Sequence, residues 1–145
     1  MKTPYDTALR AMQREVDDLR VSIASTADRL VQIETMRRGI SDAIRAESGV
    51  SASDWTLSPA AYFARARAQR EQLVAEERAT EARLEKLRRQ AMESYGSLRA
   101  VEETAGAFRA DAARAAASVE QAAIDDFAGA RFVRAMRDAR QAAGR

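Results

Sequence analysis

The sequence predicts an all-α fold, a long antiparallel two-helix coiled-coil hairpin with an extended C-terminal helix. Three observations predict it. Apolar residues recur on a 3.5-residue period, both prolines sit where helices begin, and the composition suits a narrow seam better than a rounded core. Of the 145 residues, 46% are hydrophobic but only 6% aromatic, and 32% are charged. Much of the apolar share is alanine, so large side chains are too few to fill a globular interior.

The first element starts at Thr3-Pro4-Tyr5-Asp6, with Thr3 as N-cap, Pro4 in the first helical position and Asp6 completing a capping box. From there Tyr5, Leu9, Met12, Val16, Leu19, Ile23, Thr26, Leu30, Ile33, Arg37, Ile40 and Ile44 follow in steps of four and three. Only Thr26 and Arg37 break the apolar character. A straight helix drifts off such a repeat by about 20° per heptad, so keeping it implies a supercoiled partner. The helix is expected over about 4–48, ending at Glu47-Ser48-Gly49 with Gly49 in left-handed C-cap geometry.

Residues 49–58 read as a tip loop, and Ser58-Pro59 repeats the helix-start device. The second helix, expected over about 59–140, carries the repeat through Phe63, Ala66, Arg70, Leu73, Glu77, Thr80, Leu84, Leu87, Ala91, Ser94, Leu98, Val101, Ala105, Phe108, Ala112, Ala115, Val119 and Ala122. Arg70, Glu77, Thr80 and Ser94 make this seam softer. Near Ile124 and Phe127 the phase shifts, as at a stutter.

A short linker forces the helices antiparallel within a single coiled-coil domain over 1–145. Two registers are open, one setting Leu9 near Val101 and the other near Ser94. Either uses up the first helix against residues from about 59 to 101. At 1.5 Å per residue the helices would span about 65 Å and about 120 Å, leaving the stretch from about Ala105 without an intramolecular partner. Alanine favours helix there, but a lone helix is marginal, so Phe108, Val119, Ile124, Phe127, Phe132 and Met136 form a candidate docking strip.

Catalytic chemistry finds little to use. With no cysteine and no histidine, disulfides, thiolate nucleophiles, imidazole bases and common zinc sites are excluded. The adjacent pairs Asp17-Asp18, Glu76-Glu77, Glu102-Glu103 and Asp125-Asp126 point about 100° apart on a helix and do not converge on one substrate. The six glycines are isolated, so no phosphate-binding loop is present. The chain is therefore expected to be non-enzymatic and to need no cofactor.

The net charge of +2 is small and the signs are mixed. Arg131, Arg134, Arg137 and Arg140 form a basic stripe that also suits a helix C-terminus, and no nucleic-acid partner is expected from it. No run reaches the roughly 18 apolar residues of a membrane span, and the N-terminus lacks a signal-peptide core. A cytoplasmic address is expected. At the tip, Trp55, Tyr62 and Phe63 gather with Ile40 and Ile44, either closing the hairpin or anchoring a partner.

In this order along the chain, the elements resemble the flagellar export protein FliJ family and the related YscO-like stalk proteins of type III secretion. The likeness covers nearly the whole length. It includes Glu15-Val16-Asp17-Asp18-Leu19-Arg20, the stretch from Ser94-Tyr95-Gly96-Ser97-Leu98 to Glu102, and Ala123-Ile124-Asp125-Asp126-Phe127-Ala128-Gly129-Ala130-Arg131. The resemblance implies a cytoplasmic stalk or chaperone, peripheral at the inner membrane and without a span of its own. Its partners would be the export ATPase ring, the export gate membrane protein and export chaperones. It also implies gate contact at the tip, through Ile40, Ile44, Trp55, Tyr62, Phe63 and Ala66. The family's aromatic patch on the first helix is replaced here by Ile33, Arg37, Ile40 and Ile44. Phe108, Ala112, Ala115, Val119, Ile124, Phe127 and Arg131 would meet the ring or the chaperones.

Overall fold

Two helices carry the repeat. The computed structural model describes residues 2–53 and 60–144, with α1 over Asp6–Ser53 and α2 over Ala60–Ala143, and no strand among the described residues. The helices pack against each other antiparallel, so the early part of α1 meets later residues of α2 than its later part does: Glu15 meets Ser94, whereas Arg29 and Arg37 meet Glu76 and Glu77. By its contacts the chain forms two compact units, Met1–Leu9 with Arg99–Arg145, and Arg10–Leu98.

In the Arg10–Leu98 unit the 3.5-residue seam is the contact surface. Every repeat position of α1 from Met12 to Ile44 is buried or half-buried, and so is every one on α2 from Phe63 to Leu98 except the exposed Arg70. Val16, Ile33, Leu73, Leu84 and Leu98 are the buried apolar residues of this unit, and Ile33 is the one large side chain wholly enclosed among the described residues. The outer faces of both helices stay wet, as a two-helix packing requires.

Four of the polar seam positions make specific polar contacts. Thr26 is buried, and its hydroxyl donates to the Ser22 carbonyl at 2.7 Å, so no donor is stranded. Arg37 of α1 pairs with Glu77 of α2, and Arg29, just over two turns earlier on α1, pairs with the adjacent Glu76, with Nε to Oε1 at 3.0 Å. Ser94 donates to Glu15 at 3.1 Å. That contact places Ser94 opposite Glu15 and excludes the register that set it against Leu9.

In the other unit the N-terminal turn docks on α2. Thr3 is buried, its amide donates to Asp6 Oδ2 at 2.9 Å and its hydroxyl to Asp6 Oδ1 at 2.6 Å. This is a variant of the expected capping box, with both Thr3 donors on the carboxylate. The Thr3 hydroxyl, then its amide, hold the Asp6 carboxyl below the ordinary aspartate value against the opposing effect of burial, and Arg109 adds to the lowering. Arg109 reaches Asp6 at 3.4 Å, and the rings of Tyr5 and Phe108 meet edge to face with centroids 6.1 Å apart.

Two expectations need correction. α1 does not stop at Gly49 but continues to Ser53, and no described glycine adopts a positive φ. A single helical glycine costs about 1 kcal/mol, too little to end a helix by itself. The Ser48 hydroxyl meanwhile donates back to the Ile44 carbonyl at 2.7 Å, within the continuing ladder. Residues 54–59, including Trp55 and the expected start at Ser58-Pro59, lie outside the described residues. Nor does the bare part of α2 begin at Ala105, which is fully buried. The turn around Tyr5 and Asp6 covers α2 as far as Ala112, and every described residue from 113 to 144 is exposed. The last turn closes with the Gly144 amide on the Arg140 carbonyl at 3.2 Å.

Candidate partner-binding surfaces

Near the tip of the Arg10–Leu98 unit, α1 and α2 leave an open groove of about 610 Å³. Its floor comes from the repeat and its width from small side chains. Gly39 and Ala43 sit one turn apart on α1, and a Cβ added at Gly39 would meet nothing within 4 Å. Met36 and Ile40 line the α1 side, while Tyr62, Arg65, Ala66 and Gln69 line the α2 side. The groove is apolar at its base, with one guanidinium at the rim. It could take an apolar side chain offered beside an acidic group.

Of the expected tip residues, the groove brings together Ile40, Tyr62 and Ala66. Ile44 and Phe63 are half-buried in the seam outside it, and Trp55 lies outside the described residues. Tyr62 packs edge to face on Phe63 with centroids 5.6 Å apart, which holds one Tyr62 edge against the seam and leaves the ring 37% exposed. Met36, Arg65 and Gln69 were not singled out from the sequence. The available signal was Gly39 and Ala43 together, two small residues on one helix flank beside the seam.

In the other unit, the expected ring-facing residues split into two sets. Phe108 and Ala112 are partly covered by the N-terminal turn. Ala115, Val119, Ile124, Phe127 and Arg131 stand fully outside it, with Val119, Ile124 and Phe127 60–70% exposed. Further along, Phe132, Val133 and Met136 are also exposed and flank Arg137 and Arg140 around a shallow hollow. Six large apolar side chains are exposed on this stretch, spread around the helix and not gathered on one face.

Chemically, both surfaces offer contact. Among the described residues no three acidic, histidine or cysteine side chains gather as a metal site would, and no helix is long and apolar enough to cross a membrane. The Asp6 carboxyl, held below its ordinary value, belongs to the helix start and not to a cleft. No family model, curated protein or solved structure matches the chain.

Proposed function

We propose that this chain is a coiled-coil stalk of a flagellar or related type III export apparatus, coupling the export ATPase ring to the export gate by contact alone. The observation that carries the reading is the bare stretch 113–144, a helix holding Val119, Ile124, Phe127, Phe132, Val133 and Met136 in solvent. A helix that gains nothing from intramolecular packing there is expected to obtain it from another protein. Alanines over 110–123 keep the stretch slim enough to enter a ring. The tip groove supplies a second, separate surface for the gate. The resemblance noted in the sequence supports the identity of these partners.

The test is reconstitution with the export ATPase encoded by the same genome. Added chain should promote ring assembly or raise hydrolysis, and Ala115→Leu should weaken binding by thickening the strip. Ala112→Leu tests the edge of the same surface, where the N-terminal turn already lies. Deletion should abolish motility, with flagellar subunits retained in the cell. Unchanged ATPase behaviour together with normal motility would favour a coiled-coil adaptor or chaperone unrelated to flagella.

A further inference from the structure

The stutter in α2 sets up a second seam that the intramolecular packing does not use. Beyond Ala112, the positions Ala113, Ala116, Glu120, Ile124, Phe127, Arg131, Ala135 and Asp138 follow in steps of three, four, four, three, four, four and three. At 100° per residue all eight fall within roughly a 100° arc of the helix. Three-four-four is the 11-residue repeat, which suits nearly straight helices or a slight right-handed supercoil. All eight are exposed. On the helical wheel the arc lies roughly 100° away from the face that carries Ala105, Phe108 and Ala112 under the N-terminal turn.

The spacing reads the same in both directions, and from Ala116 to Ala135 the facing residues are chemically complementary. Run antiparallel against itself about a point between Asp125 and Asp126, this seam sets Ile124 on Phe127 of a second copy, and Phe127 on its Ile124. One step outward, Glu120 faces Arg131 of the second copy, twice by symmetry. Arg134 stands on the same flank and brackets that carboxylate. Beyond these, Ala116 meets Ala135, two small residues that let the helices approach. Asp125 and Asp126 lie about 120° or more off the seam and point away from the axis, so their like charges do not meet. A parallel pair would instead oppose Glu120 to Glu120 and Arg131 to Arg131, which is unfavourable.

We infer that residues 113–138 of α2 pair with the same segment of a second copy as an antiparallel two-fold dimer, centred on Ile124 and Phe127 and registered by Glu120–Arg131. The contact is isologous and closes on itself. It does not depend on the export reading, because a second copy of the chain is the only partner it needs.

Sedimentation equilibrium of the full chain over a wide concentration range tests this, with far-UV circular dichroism confirming that each variant stays helical. The wild-type chain should pass from monomer to dimer as concentration rises. Glu120→Arg alone and Arg131→Glu alone should each raise the dissociation constant about tenfold or more, since each turns two attractions into two repulsions. The double exchange Glu120→Arg with Arg131→Glu should return it close to the wild-type value. Phe127→Ser should weaken the dimer, whereas Val119→Ser, on another face, should not. A chain that stays monomeric throughout overturns the inference and leaves the seam to an unlike protein. A dimer indifferent to the single charge reversals, or one not rescued by the double exchange, overturns it equally.

Discussion

Arg37 and Glu77 occupy positions where the repeat would ordinarily place apolar side chains, and across the hairpin each neutralises the other. The two sides are unequally wet, with 42% of the Arg37 side chain exposed and 13% of the Glu77 side chain. Replacing Arg37 by leucine strands a nearly buried carboxylate and is expected to cost about 1–2 kcal/mol, below fully buried cases because solvent screens the guanidinium. Replacing both by leucine should be neutral or stabilising, at the expense of a register marker. Urea unfolding of the two singles and the double checks this. At the N-terminus the pH dependence has a definite sign. The folded Asp6 carboxyl lies below its ordinary value of 3.8, so its contribution is fully present above that value and fades as pH falls through the lowered one. The stability gap between wild type and Asp6→Asn should therefore narrow on strong acidification and stay constant from mildly acidic to neutral pH.

At the scale of the element, the helices accept residues that weaken them. Gly96 and Gly106 lie inside α2, and a Cβ at either would meet nothing within 4 Å. Alanine there should stabilise the helix by about 0.5–1 kcal/mol per site, read as a rise in melting temperature with no change in contacts. Gly49 shows the same tolerance in α1, where the sequence by itself suggests a helix end. A glycine followed by serines resembles a stop signal, yet without a left-handed turn the ladder runs on to Ser53. The seam itself was legible because its period is a property of one strand of sequence. Thr26, Arg37 and Glu77 were visible only as flaws, since period alone cannot say what stands opposite until a register is known. The tip groove was hidden for a related reason. It depends on how Gly39 and Ala43 of α1 lie beside Tyr62 and Ala66 of α2, a relation between elements. The bare strip was legible in kind but not in extent, because the turn at Tyr5 and Asp6 reaches further along α2 than counting heptads suggested.

For the molecule as a whole, burial is sparse: of the large side chains described, Ile33 alone is withdrawn from water completely. Among the described residues nothing resembles a pooled interior whose loss would bring every part down together. Each pair of facing turns supports mainly its neighbours, so opening should be local and graded. Hydrogen exchange should find the slowest amides around Ile33 and Leu73, progressively faster ones away from them, and near-unprotected ones over 113–144. A protein secured in this way resembles a zip fastener more than a vault. Whatever closes over its loose end would lengthen the lifetime of every amide it covers, making deuterium uptake a direct gauge of occupancy.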